Sequence, residues 1–450
     1  MKKYKSLRIA LKLLLAVVFI ASVLTSQAQN KADQKDYQVS KEEKEIVIDS
    51  ITKFMKDKYV FPDVGEQMGD LVKKNLKDDV YMDINNPQEF ATKVTQDIRS
   101  VSNDKHVVLR YAPEMIAMIK NAEEDENNKE LEEYAKKERE SNNFEFKEIK
   151  ILPGNVGYLK FNRFYDASVA GPTAIAALNF LAYTDALIID LTDNGGGSPS
   201  LIQLMTSYFF EDTEHLNSFY IREGDKTQQF WTLPYVPGKK MTETDLYILT
   251  SQYTFSGAEE FTYNLKNMEK ATIVGETTGG GAHPVEGHII NDNFIVRVPF
   301  GRAVNPISNS NWEGTGIEPN VKTSKAKAKE TAYLLALKKL SEKEQDEKIK
   351  YDIDWAIAGL KAKLEPVTLD KQTLKKYVGV YGPRKITFEN GALYYQRVDR
   401  PKMKMIPMGE DLFMFNEIDY FHLQIITKDG KAVGVKGLYD SGRSDENKKS

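Results

Sequence analysis

The stretch YILTSQYTFSGAEEFTYNLKNMEKATIVGETTGGGAHP, residues 247–284, decides how this chain folds. It opens with a short apolar run, 247–250, that reads as a buried strand. A tight turn follows, then a helix that starts at Ser256-Gly257. A second strand over 271–274 leads into a glycine-rich loop. Strand, helix and strand in this order make a βαβ unit. Ser256 would stand at the helix mouth, where backbone N–H groups lack partners and the helix dipole is positive. That place suits a nucleophile whose reaction generates an oxyanion. It also suits an ordinary N-cap, because Ser is a favoured cap and Glu259 three residues on completes a capping-box pattern. On this stretch alone a plain cap explains the serine.

Working outward, the same alternation continues. Upstream, VGYLKFNRF reads as a strand, 168–184 as a helix, and ALIIDL (186–191) as a strand covered on both faces. DNGGGSP is a loop, and Pro199 starts the next helix. Downstream, HIINDNFIVRVPF reads as two strands hinged at Asn291-Asp292. The expected fold class is therefore α/β, with a core over 151–325. An N-terminal helical domain (29–112) precedes it, joined by a charged helical linker (113–150). A helical connection (326–365) and a small antiparallel β-domain (366–450) follow. The tail alternates apolar and polar residues between Asn-Gly and Asp-Gly turns, and no internal repeat stands out.

The first 28 residues, a basic stretch, an apolar stretch and then Ser26-Gln27-Ala28, have the layout of a secretory signal peptide. Cleavage after Ala28 is expected, with export to the periplasm or beyond and no stable membrane span afterwards. Losing Lys2, Lys3, Lys5, Arg8 and Lys12 would take the formal charge from −4 to about −9. That balance, without a basic aromatic-interleaved stripe, argues against a nucleic-acid partner. The chain has no cysteine, so its cores alone must stabilise it.

A reactive Ser256 needs a base, and there are five histidines. His106, in SVSNDKHVVLRY, sits between a helix and a strand-like run. His283 lies in the glycine-rich loop and is the rival base. His422 falls in an alternating strand of the tail and reads as structural. The loop Asp193-Asn-Gly-Gly-Gly could let a substrate backbone approach and aim an N–H inward, or could be only a tight turn. No phosphate loop and no metal-ligand spacing such as HExxH occurs, so neither metal nor organic cofactor is expected.

Together NDKH (103–106), LIIDLTDNGGGSP (187–199), TFSGAEEF to VGETTGGGAHP (254–284) and EGTGIEPNV (313–321) resemble the tail-specific, or C-terminal processing, serine peptidase family. The similarity is to the branch related to interphotoreceptor retinoid-binding protein and the tricorn core protease. It covers roughly residues 40–325. It implies a ClpP/crotonase-like core and hydrolysis of peptides or unfolded protein by acyl transfer. Much of the family uses a serine–lysine dyad, whose lysine position is held here by Gly281. The tricorn-like branch uses an upstream histidine and an acid. That carry-over makes Ser256 the nucleophile, His106 the general base and Glu313 the orienting acid. Gly257, Gly196 and Gly197 would supply the oxyanion hole. The serine that accompanies the tricorn histidine is replaced by Lys105. The segment 113–147 is too short for a PDZ domain, so none is expected. Two rival readings share the core. One is a non-enzymatic module binding peptide or apolar ligands, and the other is acyl-CoA chemistry, which export disfavours.

Overall fold

The computed structural model describes residues 37–124 and 129–450; the expected signal peptide lies outside them. Three amphipathic helices come first: α1 (Lys41–Lys58), α2 (Pro62–Lys77) and α3 (Pro87–Ser102). Ser40 accepts from the Glu43 N–H at the start of α1, and Asn86 caps α3 just before Pro87. Their apolar stripes bury Ile48, Ile51, Met68, Phe90 and Ile98 in one cluster. That cluster is completed from outside the helices. Leu109 of β1 (Val108–Tyr111) and Phe294, Val296 and Val298 of a distant strand close it. Asn103 ends α3 in the left-handed conformation (φ 56°), which Asn tolerates, and swings the chain into 104–106.

Helices α4 (Pro113–Glu124) and α5 (Lys129–Ser141) occupy the charged segment. The core sheet then begins earlier than the expected boundary, at β2 (Phe146–Leu152). This lysine-rich strand pairs antiparallel with β3 (Val156–Phe161) at the sheet edge. Four of its seven residues are exposed, Ile149 and Ile151 among them, so its apolar residues mark no core face. Next come α6 (Ala167–Phe180), β4 (Ala186–Asp190), α7 (Pro199–Thr206), β5 (His215–Ile221) and β6 (Lys226–Trp231). The decisive stretch forms β7 (Asp245–Thr250), α8 (Gly257–Asn267) and β8 (Ala271–Gly275). After it lie β9 (Val285–Ile289), β10 (Phe294–Pro299), β11 (Gly301–Val304) and β12 (Val321–Lys322).

The main sheet has the order β12-β8-β7-β4-β3-β2, parallel except for β2. All five residues of β4 are buried, as both faces are covered. Helices α6 to α8 pack on one face. Helices α9 (Lys325–Lys343) and α10 (Glu347–Leu364) pack on the other. The loops after β4 and β7 leave the carboxyl ends of neighbouring strands, the usual place for a site in an open α/β sheet. A second sheet, β1-β10-β9, ties the N-terminal helices to the core. After α11 (Lys371–Lys376), the tail holds nine short strands among the described residues, between Gly379 and Lys448, in two antiparallel sheets. It has its own core, including Tyr381, Phe413, Phe415 and Leu423.

Candidate active site

Ser256 joins the β7 turn to α8. Its backbone has φ 54° and ψ −121°. Ordinary caps in this chain sit in the extended region, as Ser40 (−71°, 163°) and Ser198 (−81°, 130°) do. A side chain in the positive-φ region is strained, and such strain persists only where surroundings impose it. The Ser256 side chain also makes no full capping hydrogen bond. Both halves of the capping box are in place, but unequally: the Ser256 side chain faces the Glu259 N–H without a full hydrogen bond, while the Ser256 N–H donates to Glu259 Oε2 at 2.9 Å. A serine on a sharp, strained strand-to-helix turn presents its hydroxyl at the top of that turn.

Glu259 is the anchor of this region. It is fully buried and accepts from four donors: Ser256 N–H, Gly281 N–H (2.8 Å), Gly280 N–H (2.7 Å) and the Thr278 hydroxyl (2.5 Å). Burial pushes its carboxyl up to about 7, against these bonds. With both oxygens accepting two hydrogens each, a proton would have to displace a donor, so the ionised form is the one that fits. Through Oε2 the serine backbone and the glycine-rich loop are joined at one atom.

His106 packs onto that same junction. Its ring centroid lies 4.7 Å from that of Phe255, the residue before the serine. A Cβ built on Gly281 would lie 2.5 Å from His106 Cε1 and 2.3 Å from Phe255 Cζ. No side chain fits at 281, and the imidazole fills the space. His106 is 3% exposed, and burial drives its pKa down to about 3 despite the opposing charge of Asp104. It is neutral at pH 7, the form that accepts a proton. Its Nδ1 has no hydrogen-bond partner and lies 3.9 Å from Asp104 Oδ1.

Asp104 is a residue that the sequence reasoning missed. Its Oδ1 accepts from the His106 backbone N–H (2.9 Å), and its Oδ2 from Tyr59 (3.2 Å). His283 Nδ1 lies 2.7 Å from the same Oδ2. Burial pushes Asp104 up, but the two histidines and the amide outweigh it and hold the carboxyl below its usual range. Glu313 stands beside His283, with Oε2 at 3.5 Å from Nδ1 and accepting from the Ala282 N–H at 2.6 Å. Burial, then the Asp104 charge, raise it to about 7. The acid expected against His106 therefore touches His283, and Asp104 is the carboxylate beside both imidazoles. The Asp104, His283 and Glu313 ligand atoms lie within 4.8 Å of one another, a spacing that could hold a metal ion. The direct Asp104–His283 bond uses the lone pairs an ion would need.

The glycine loop meets the serine from the other side. A Cβ on Gly196 would lie 2.6 Å from Gly257 N and 2.9 Å from Ser256 Cβ. Both Gly196 (φ 100°) and Gly197 (φ 146°) need conformations that side chains rarely adopt. The Gly196 N–H, however, is given to Asn194 Oδ1 at 2.9 Å. Among the described residues the Gly257 and Gly197 N–H groups donate to no acceptor. These two amides are uncommitted within the described chain, and Gly196 lies close against the Gly257 N–H. Lys105 turns away from the serine and donates to Gly279 O at 2.5 Å. A cleft of about 700 Å³ lined by Lys105, Gln252, Glu276 and Gly279 opens beside this loop, and neither Ser256 nor His106 lines it.

Residues 155–323 match the model of peptidase family S41, and residues 31–147 match the N-terminal domain of this peptidase in eukaryotic IRBP. The two matches together span most of the chain. The chain belongs to peptidase family S41. As an S41 member it is a serine peptidase, and peptides are its substrate class. Similar solved structures include a putative peptidase from Parabacteroides merdae, 17% identical over 62% of this chain and 90% of that one (TM-score 0.45). The photosystem II D1 C-terminal processing protease is 14% identical over 63% and 93% (TM-score 0.40). The tricorn protease is 12% identical over 71% of this chain and 37% of its own (TM-score 0.41). Among the described residues of this S41 peptidase, no helix is long and apolar enough to cross a membrane.

Proposed function

We propose that the chain is an exported serine peptidase that cleaves peptides or unfolded protein with Ser256 as nucleophile and His106 as general base. The observation that carries this reading is the strained backbone of Ser256 at a helix mouth, with its hydroxyl in no full capping hydrogen bond. The Ser256 hydroxyl attacks the scissile carbonyl carbon while its proton passes to the neutral His106 imidazole. The Gly257 and Gly197 N–H groups receive the oxyanion. Collapse returns the proton to the leaving amine, and water releases the acyl group by the same route. Asp104 fixes His106 through its backbone and supplies a negative charge 3.9 Å from Nδ1 as the imidazolium forms. His283, flanked by Glu313, holds Asp104 from behind. A lysine dyad finds no room at Gly281, where His106 and Phe255 take the space.

Labelling with a fluorophosphonate probe and turnover of unfolded casein test this reading. Wild type reacts in both assays. Ser256→Ala loses both, and His106→Ala loses several kcal/mol of transition-state stabilisation. His283→Ala keeps more activity than His106→Ala; the reverse order would make His283 the base. Undiminished labelling of Ser256→Ala would end the proposal. Export rests on the first 28 residues, and an N-terminus at Gln29 in protein recovered from outside the cytoplasm would support it.

A further inference from the structure

Strand β1 runs directly out of the His106 turn, and β10 pairs with it so that Val108 faces Arg297 and Arg110 faces Ile295. Residues 108 and 110 share one face, and Arg297, opposite 108, lies on the same face. Arg110 and Arg297 are therefore diagonal cross-strand neighbours, roughly 7–8 Å apart at the backbone. The other face of this sheet is accounted for, since Leu109, Phe294, Val296 and Val298 pack against the N-terminal helices. Both guanidiniums are partly buried. Neither makes a hydrogen bond or ion pair among the described residues, and Arg297 Nε is buried with no partner. Across from Arg297 on β9 stands Gly287, which brings no side chain beside it, while Ile116 and Ile119 of α4 cover Ile295 farther along the same face.

Two like charges at this spacing repel one another, and a half-buried cation without a counter-ion is costly. Arg99 and Arg163 add to the positive field around Arg297, and Asp104 is the carboxylate that opposes it. Asp104 is already taken by His283, Tyr59 and the His106 amide. The positions also matter. Arg297 lies across from a residue two places beyond His106, about 7 Å along the strand. A group bound there lies beside the strand that leaves the His106 turn.

We propose that Arg110 and Arg297 form an anion subsite that binds a carboxylate of the substrate peptide, through the forked donors that guanidinium offers to carboxylate. This rests on the peptidase reading above. The carboxylate comes either from a free C-terminus or from an acidic side chain, and the subsite sets which peptides this enzyme selects.

The test is binding to the full-length Ser256→Ala protein, read by fluorescence polarisation, which needs no turnover. One pair of labelled peptides differs only in C-terminal acid against amide. A second pair, both amidated, differs only in internal Asp against Asn. Discrimination of about tenfold in one pair supports the proposal and names the source of the carboxylate. Adding Arg297→Gln or Arg110→Gln should erase that discrimination, while Arg297→Lys should keep part of it. Equal binding within both pairs overturns the proposal without any arginine variant. Discrimination that survives both glutamine substitutions also overturns it. Because turnover is not read, loss of the subsite and loss of the serine mechanism remain separate results.

Discussion

At residue 281 the absence of a side chain is what admits the imidazole of His106. An added methyl would lie 2.5 Å from His106 Cε1 and against Phe255 on its other side, so the ring must move. A displacement near 1 Å in a general base costs about 100-fold in rate. Gly281→Ala should therefore lower kcat/KM by about two orders of magnitude. Its stability should fall by only about 1–3 kcal/mol, the ordinary cost of overpacking. Peptide turnover and urea melts measure the two effects, and full turnover in a folded Gly281→Ala protein would show that His106 is not the base. Glu259 makes the opposite case, because its side chain is needed for its oxygens. A glutamine offers one acceptor in place of two and brings two new donors against Gly280 or Gly281 N–H. Glu259→Gln should destabilise the fold by about 3 kcal/mol and cut fluorophosphonate labelling of Ser256, since it frees the serine turn and the glycine loop together.

At the scale of elements, the site depends on strands that are far apart in sequence. The His106 turn leads into β1, β1 is held by β10, and β10 is held by the helical cluster around Phe294. Phe294 is fully buried and meets the edge of Phe90 at 5.8 Å. Phe294→Ala should cost about 3–5 kcal/mol and should also weaken labelling of Ser256 at low denaturant, because the base loses its support. Tyr395→Ala in the tail core, a comparable truncation, should destabilise the tail yet leave labelling unchanged. Equal loss of labelling in both variants would contradict this route of support. The same contrast explains what was legible beforehand. The 247–284 unit was readable because its periodicities and its helix start are local. The Asp104–His283 pair spans 179 positions and carries no local signal beyond an Asp two residues before a His. Likewise, Arg110 and Arg297 look like ordinary strand cations until the β1–β10 register puts them on one face. Strand β2 escaped notice because it follows directly on a charged helical segment and its Ile149 and Ile151 are exposed rather than part of a core face.

At the scale of the whole molecule, the tail and the core meet at α10. Trp355 stacks on His422 with ring centroids 3.8 Å apart, and its indole N–H donates to Asp419 O at 2.8 Å. Burial pushes the His422 imidazole down to about 4, from an ordinary value of 6.5. Between pH 6.5 and 4 the unfolded chain therefore binds a proton at this residue that the folded chain does not. Stability rises with pH where the unfolded state holds more protons, so acidification through this window weakens the fold. The slope for one such group approaches 1.4 kcal/mol per pH unit. His106 acts in the same direction, down to about pH 3. Glu260 and Glu313, both raised to about 7 by burial, bind extra protons when folded between pH 4.5 and 7 and act in the opposite direction. The wild-type curve is thus a sum of opposed parts, and a difference between two proteins isolates one of them. His422→Phe keeps an aromatic ring on Trp355 and removes the titration. Its stability relative to wild type should be nearly constant above pH 7, climb as pH falls from 6.5 to 4, and level off below that. Urea denaturation at pH 7.5, 5.5 and 4.5 measures the difference directly. A flat difference across those three values would mean that His422 takes up its proton without leaving the Trp355 stack, and that the core–tail joint is not where acid acts.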